Sequence, residues 1–346
     1  MDWNQINSAF TLFLSLLVEA MPFLLLGVLF SGCLQVFVDE RKLVRLMPKS
    51  PFLGALVGSC IGFLFPVCEC GNVPVARRLL MQGVPSAVAI GFLLAAPTIN
   101  PIVFWATWIA FRDQPEVVFL RIGFSLTIAT IIGWVFSAQA DLRPLLQPAI
   151  ARVVPFKRRG RGKSAETTDL ETSPLLQSGT YFLGQSDQPV QAEAMMMQAA
   201  IALESPISKP FPDKLAILLE NTMQEMRELG GVLVLGSAIA AIVQVFVPRE
   251  VILNLGQGPV TSILAMMLLA AVVSICSTVD AFFALSFAST FTSGSLLAFL
   301  VFGPMIDVKA IGLMLSIFKP RAVFYLFVLA GQLTFLFTLF VNLYIS

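Results

Sequence analysis

The sequence predicts an all-α protein, a polytopic transmembrane helix bundle of about eight to ten spans in two repeated halves with interrupted helices. Of the 346 residues, 57% are hydrophobic and only 12% are charged, and the mean hydropathy is +0.85. A soluble domain of this composition does not have enough polar residues to cover its surface. The chain is therefore predicted to be integral to a membrane.

Five residues of the first half have counterparts in the same order in the second half, which indicates a duplicated unit. Each pair is separated by 207 to 209 residues: Glu19 and Glu228, Gly27 and Gly236, Pro51 and Pro259, Cys68 and Cys276, and Asn100 and Asp307. Duplicated units with interrupted apolar segments are typical of secondary transporters that build a central binding site.

The apolar segments of the two halves follow one plan. In the first half they cover 8–38, 51–67, a short segment from Cys68 to Gln82, 84–111 broken at Pro97 to Pro101, and 117–138. In the second half they cover 229–247, 259–275, a short segment from Cys276 to Thr292, 295–318 broken at Pro304, and 322–345. The prolines predict interrupted helices, because proline removes a backbone donor and clashes with the preceding turn.

Three regions are predicted along the chain. Residues 1–139 form the first membrane repeat, 140–210 a cytoplasmic and mostly disordered linker, and 211–346 a surface helix followed by the second membrane repeat. The linker is too polar to fold alone. Residues 211–227 carry apolar side chains at helical spacing, which is typical of a helix at a membrane surface.

Basic residues predict the orientation in the membrane. If each half has five spans, the loop at 39–50, Arg77 and Arg78, the linker, and Lys319 and Arg321 all face the cytoplasm, as the positive-inside rule requires. An odd count also inverts the second half relative to the first. The alternative has eight spans with re-entrant cysteine segments, and it places the basic clusters on opposite sides, so ten is favoured.

The cysteines are the first candidates for a functional site. The chain has five Cys and no His, so any soft-ion site must use thiolates and carboxylates. Cys68, Glu69 and Cys70 stand beside Gly71 and two prolines, and we expect both thiols to line a cavity. Plain packing of buried cysteine is the alternative, and it is the expectation for Cys33 and Cys60.

Asn100 and Asp307 occupy the same place in each half, after a proline break. A carboxylate inside an apolar stretch is costly and marks a functional site. Asn100 has the alternative role of capping a helix. The predicted substrate-binding set is thus Cys68, Cys70, Asn100, Cys276 and Asp307.

Four acids are ion-coupling candidates. Glu19, Glu69, Glu228 and Asp280 lie within or beside apolar segments, and a chain without histidine has only acids for a proton relay. Glu228 has the alternative of belonging to the surface helix. Arg77 and Arg78 are expected to anchor the cytoplasmic face, with anion binding or pairing to these acids as the alternatives.

Several function classes are excluded or disfavoured. A net charge of +1 argues against a nucleic-acid partner, which needs dense basic residues. No Gly-x-x-x-x-Gly-Lys-Ser/Thr loop occurs, so ATP use would need a partner. An intramembrane protease is disfavoured, because the Gly-x-Gly-Asp motif surrounds neither Asp280 nor Asp307. The chain is predicted not to be an enzyme and to have no cofactor and no resident metal. Its predicted partners are a small solute, the lipid bilayer and a coupling proton. Its oligomeric state stays open.

The cysteine motif resembles that of the predicted permease family that includes bacterial organoarsenical efflux permeases. The matching residues are Cys68-Glu69-Cys70-Gly71-Asn72-Val73-Pro74, then Gly83-Val84-Pro85, then Phe92-Leu93-Leu94-Ala95-Ala96-Pro97-Thr98-Ile99-Asn100-Pro101. The resemblance implies a multi-pass permease of the bacterial inner membrane that exports a small solute, with trivalent organoarsenicals as the characterised substrate class. Glu69, where a small polar residue is expected, and the long linker depart from the family pattern.

Two other functions stay open at this stage. A membrane thiol-disulfide electron carrier would exchange disulfides between Cys68 or Cys70 and Cys276. A passive channel or an assembly scaffold is the other alternative. It would show solute flux without ion coupling, or no solute flux at all.

Overall fold

The fold is known from a computed structural model that describes residues 3–37, 44, 47–48, 50–65, 68–138, 143–151, 211–246 and 258–344. Across these ranges the regular secondary structure is helical and no strand forms. The prediction of a polytopic helix bundle is confirmed. Most of the predicted linker, 140–210, lies outside the described residues.

Thirteen α-helices occur within the described ranges, and twelve of them form two matching sets. The first set is α1 Trp3–Phe37, α2 Pro51–Ile61, α3 Glu69–Met81, α4 Ser86–Ile99, α5 Pro101–Ala110 and α6 Pro115–Ala138. A short α7, Pro148–Ala151, follows. The second set is α8 Phe211–Phe246, α9 Pro259–Val273, α10 Asp280–Leu285, α11 Ser293–Met305, α12 Val308–Met314 and α13 Pro320–Tyr344.

Six helical segments in the described part of the chain are long and apolar enough to cross a membrane, and two shorter apolar helices, Pro51–Leu64 and Pro259–Val273, accompany them. The helices that follow Cys68 and Cys276 are shorter still. Helix α3 has 13 residues and α10 has 6, whereas a span needs about 20. The six long segments, together with the shorter apolar helices, agree with the predicted bundle of about eight to ten spans.

A single helix covers the segment in which the sequence predicts a surface helix followed by a separate span. Helix α8 runs for 36 residues without a break. Between 227 and 229 there is no proline, and the glycines that follow, Gly230 and Gly231, are tolerated inside a helix at a cost of about 1 kcal/mol each. The polar and apolar parts of α8 are therefore continuous.

The first helices of the two halves pack against each other in antiparallel orientation. Near the end of α1, Gln35 accepts a 2.8 Å hydrogen bond from Asn221 near the start of α8. Near the start of α1, Leu16 packs on Ala240 and Ala241 near the end of α8. Helices α1 and α8 thus run in opposite directions.

The last helices of the two halves are also antiparallel. The rings of Phe124 in α6 and Phe337 in α13 stack with centroids 5.2 Å apart. Val117, near the start of α6, lines one cavity together with Val341, near the end of α13. The two halves therefore meet along their equivalent outer helices.

Each half has a buried central helix that ends at a proline-dependent break. Helix α4 packs between α2 and α6, and α11 packs between α9 and α13. Pro97 and Pro304 lie in the last turns of α4 and α11. The chain then leaves the helical conformation at Asn100 and at Ile306 to Asp307, so both breaks lie inside the bundle.

Basic residues of several loops gather at one end of the bundle. Arg78 in α3 pairs with Glu225 in α8 at 2.5 Å, and α3 also packs on α7. The segment around α7 in turn contacts the loop before α13, where the Lys319 N–H donates to the Leu145 carbonyl at 2.8 Å. Arg78 of the first half and Lys319 of the second therefore lie at the same end of the bundle.

The paired glycines Gly27 and Gly236 each allow a close approach to a short helix in the same half. A Cβ atom on Gly27 would lie 2.3 Å from the Gly71 carbonyl oxygen in α3. A Cβ on Gly236 would lie 3.5 Å from the Cα of Lys309 in α12. The absence of a side chain is thus essential at Gly27, where it lets α3 lie directly on α1.

Gly27→Ala is expected to lower the thermal stability of the purified protein, because the new methyl group overlaps the α3 backbone. Such overpacking costs about 1–3 kcal/mol. Gly123→Ala is the matched control, since a Cβ there meets nothing within 4 Å. Thermal unfolding in detergent checks the pair, and an equal melting temperature for both variants would contradict the close contact.

Candidate functional site

The two cysteine-bearing breaks face each other across the interface of the halves. Cys68 is the N-cap of α3. In the second half, the chain leaves α9 at Ser274, which has a left-handed φ of 49°, and enters α10 at Asp280. This turn directs the Cys276 side chain into the bundle, where it is 3% exposed.

Three buried thiols come together at these breaks. The Sγ atoms of Cys68 and Cys70 and a carboxylate oxygen of Glu69 all lie within 4.8 Å of one another. The Cys276 side chain interacts with Cys68 from the opposite half, and it accepts a 3.5 Å hydrogen bond from the Thr278 hydroxyl. We call Cys68, Cys70 and Cys276, together with Glu69, the thiol centre.

Asn100 and Asp307 play the same local role in the two halves. The Asn100 Oδ1 accepts a 2.9 Å hydrogen bond from the Val103 N–H at the start of α5. The Asp307 Oδ1 accepts one of 2.5 Å from the Ala310 N–H at the start of α12. Both side chains cap helices, and the Asp307 carboxylate also interacts with Glu69 of the thiol centre.

Lys309 is a site residue that the sequence reasoning missed. Its side chain is almost completely buried, and its Nζ lies 3.8 Å from the Glu69 Oε1. Lys309 also interacts with Asp307 on its own helix. A cation from the second half thus lies between two carboxylates from different halves. The available signal was a lysine inside the apolar stretch at 295–318, because ionisable residues there are rare and functional.

Arg121 was missed as well, and it forms a second buried ion pair between the halves. Its guanidinium donates to the Asp280 carboxylate at 2.6 Å and to the Thr107 hydroxyl at 2.7 Å. Both charged side chains are at most 2% exposed. Asp280, predicted as an ion-coupling candidate, is therefore held by an arginine. The feature of the sequence that could have identified Arg121 is its position as a lone arginine within the apolar segment 117–138.

Several buried polar atoms at the breaks have no hydrogen-bond partner among the described residues. These are the second Glu69 oxygen, both side-chain atoms of Asn72, and the Ser277 hydroxyl. Asn72 and Asp280 are equivalent positions, 208 residues apart, but only Asp280 has its arginine. Buried polar groups normally have partners, so this region is suited to hold a polar solute or water.

The remaining candidates lie away from the thiol centre. Glu228 pairs with Arg77 at 2.8 Å and is about half exposed, with a side-chain exposure of 48%. Arg77 and Arg78 therefore pair with acids of α8. Glu19 lies on α1 beside a separate cavity. Cys33 is partly exposed and Cys60 is exposed.

Arg121→Met is expected to destabilise the protein strongly, because it leaves the Asp280 carboxylate buried and unpaired. Removing one partner of a buried pair costs about 3–5 kcal/mol. The double variant Arg121→Met, Asp280→Asn removes both charges and should recover much of the loss. Thermal unfolding of the two variants in detergent is the measurement, and strictly additive losses would contradict a direct pair.

Comparisons with known proteins cover almost the entire chain. The model of a family described as "Predicted permease" (ArsP_1) matches residues 5–343. The protein YcgR of Bacillus subtilis is 41% identical over 335 residues, 95% of this chain and 96% of that protein. A Streptococcus mutans protein, whose provisional name describes a "two-component membrane permease complex subunit", is 31% identical over 92% of this chain and 89% of its own length.

A third relative is matched over a shorter stretch, and no solved structure matches. The protein YraQ of Escherichia coli is 32% identical over 76 residues, 22% of each chain. The family match and the two long alignments include both halves and every residue of the thiol centre. The chain therefore belongs to the predicted permease family and is a multi-pass membrane protein.

Proposed function

We propose that this permease is a secondary transporter of the bacterial inner membrane that exports a small thiophilic or organic solute by alternating access. Its binding set is Cys68, Cys70, Asn100, Cys276 and Asp307, near the middle of the membrane. The observation that carries this proposal is the thiol centre itself. Two backbone breaks, one from each half, bring three thiols together with Glu69, Asp307 and Lys309.

An inverted repeat is part of the proposal. The antiparallel contacts of α1 with α8 and of α6 with α13 support it, because equivalent helices of inverted halves run in opposite directions. The cluster of basic residues at one end of the bundle supports a cytoplasmic location for that end. Rocking of one half against the other would then expose the thiol centre to each side in turn.

The thiols favour a soft solute. Thiolate ligands select soft ions over hard ones, and the neighbouring thiols of Cys68 and Cys70, with Cys276 next to Cys68, suit a trivalent arsenic compound. A trivalent organoarsenical is therefore the proposed cargo class, in agreement with the resemblance of the motif. The unpartnered polar atoms of Asn72 and Ser277 add hydrogen-bonding capacity for hydroxyl groups on such a solute.

Coupling to protons is proposed to involve Glu69 and its neighbours. Lys309 lies 3.8 Å from Glu69 and also interacts with Asp307, so two carboxylates share one cation. With all three ionised, the group carries one negative charge in excess, and one proton neutralises it. A buried group that gains and loses one proton as cargo arrives is a simple coupling device.

Asp307→Asn is expected to abolish transport while expression and folding persist, because asparagine caps the equivalent helix at Asn100 and should cap α12 equally well. The change removes only the charge beside Lys309. Growth protection of a sensitive host by the expressed chain, tested with trivalent arsenicals, antimonials and thiophilic metals, is the measurement.

Asp113→Asn is the control for that experiment, since Asp113 is an exposed acid between α5 and α6. Full protection by the Asp307→Asn variant would refute the role of Asp307. If the unmodified chain protects against no compound of the panel, the cargo class is wrong.

A membrane thiol-disulfide carrier is the second candidate, and the contact between Cys68 and Cys276 across the halves favours it. Two thiols would give one disulfide, two protons and two electrons, with a partner disulfide protein as oxidant. Thiol trapping in cells under reducing and oxidising conditions separates the candidates. A reversible Cys68 to Cys276 disulfide supports the carrier, and free thiols under both conditions support the transporter.

A further inference from the structure

A second cavity lies apart from the binding set proposed above, at the side of the bundle. Its volume is about 540 Å³, within the range of small-molecule sites. Helix α1 contributes one wall, and the turn and helix that follow α9 contribute the other. The lining is apolar except for Glu19, Ser15 and Gln244, so the cavity presents one acidic group in a hydrophobic surface.

Glu19 lies deep in the membrane. It is near the middle of α1, which extends over Trp3–Phe37. In the antiparallel pair, Ser31 faces Glu225 at the polar end of α8, and Leu16 faces the apolar Ala240. Glu19 is only three residues from Leu16, so it lies well inside the apolar part of this pair.

The Glu19 carboxylate has no cationic partner in the described part of the chain. The ion pairs formed there use other acids, namely Glu69, Glu225, Glu228 and Asp280. Glu228, the equivalent of Glu19 in the second half, is neutralised by Arg77. An ionised carboxylate without a partner at membrane depth is costly, and a cation bound in the cavity would stabilise that ionised form.

The cavity opens towards lipid. Val18 on α1 is 72% exposed and Val279 on the facing turn is 48% exposed, and both line the cavity. In a membrane protein, such exposed apolar side chains at this depth contact acyl chains. A ligand can therefore enter from the bilayer, which requires an apolar body.

An aromatic ring completes the chemistry. Phe283 lines the same cavity as Glu19. It stacks on Phe299 and contacts Phe287, at centroid distances of 5.6 and 5.2 Å, and these contacts fix its position. The face of an aromatic ring attracts a cation. A carboxylate, an aromatic ring and aliphatic walls together suit a positively charged, largely apolar molecule.

Other ligand classes fit less well. A divalent metal ion needs several oxygen ligands, and this cavity offers one carboxylate with two neutral polar side chains. An anion would be repelled by Glu19. A neutral lipid chain would leave the carboxylate without a counter-ion.

We propose that this lateral cavity is a binding site for amphipathic monovalent organic cations, with Glu19 as the counter-ion and Phe283 as the aromatic wall. The turn that forms part of the cavity, from Ile275 to Val279, also carries Cys276 of the thiol centre. An occupant would therefore press on the segment that positions Cys276. Binding itself does not depend on the proposed transport function.

The test uses tetraphenylphosphonium as the probe and the full chain in nanodiscs of zwitterionic phosphatidylcholine. Equilibrium binding of the radiolabelled cation should be saturable, with one site per chain. Glu19→Gln should weaken binding by at least about tenfold, because the variant removes the negative charge that attracts the cation in a partly buried site.

Two further variants make the test decisive. Glu220→Gln removes the same charge from an exposed position on α8 and should leave binding unchanged. Ser15→Trp fills the cavity from the partly accessible face of α1 and should abolish binding while Glu19 is retained. If Glu19→Gln does not fold, Ser15→Trp alone decides.

Three results would overturn the proposal: non-saturable uptake by the unmodified protein, equal affinity in the Glu19→Gln variant, or full binding in the Ser15→Trp variant. Because the readout is binding and not transport, failure here leaves the proposed export function untouched. Loss of export in the Asp307→Asn variant likewise leaves this site untouched.

Discussion

Two buried ion pairs between the halves determine how the rest of this bundle is arranged. Glu69 of the first half meets Lys309 of the second, and Arg121 of the first half meets Asp280 of the second. In a membrane, a charge that is buried without a partner costs several kcal/mol. Glu69, Arg121 and Asp280 are therefore each buried against a partner from the other half, whereas Lys309 also interacts with Asp307 of its own half.

The two pairs differ in a way that matters for movement. Arg121 and Asp280 are hydrogen-bonded at 2.6 Å, with Thr107 as a further acceptor. Lys309 and Glu69 are 3.8 Å apart, beyond ordinary hydrogen-bond length. We expect the first pair to keep the halves in register, while the second responds to protonation or cargo at the thiol centre. A tight contact and a loose one on the same interface suit a rocking motion.

Much of the fold could be predicted from the sequence, because membrane helices need long apolar runs and proline marks their interruptions. The matched positions of Cys68 and Cys276, and of Asn100 and Asp307, also predicted which breaks are equivalent. The sequence alone does not determine the number of spans, since the lengths of α3 and α10 depend on tertiary packing. The sequence of a short apolar segment next to a cysteine does not show whether that segment crosses the bilayer.

The site was only half predictable. The thiols and Asp307 stood out by residue type and position, but the sequence analysis did not identify Lys309, which pairs with Glu69, or Arg121, which pairs with Asp280. Their partners are 240 and 159 residues away in the chain, counted from Glu69 to Lys309 and from Arg121 to Asp280. No local pattern encodes such contacts. The role of Asn100 as a helix cap, in contrast, follows from its neighbours and is seen in the structure.

The most direct measurement of alternating access is the sidedness of thiol reactivity. A chain in which Cys33 and Cys60 alone are replaced by serine keeps the thiol centre. In right-side-out and inside-out vesicles it is treated with a membrane-impermeant methanethiosulfonate reagent, and mass spectrometry identifies modification of Cys68. The account predicts that Cys68 reacts from both sides, with cargo shifting the balance between them, because rocking exposes the thiol centre to each side in turn. Reaction from one side alone, whatever the cargo and pH, would contradict it.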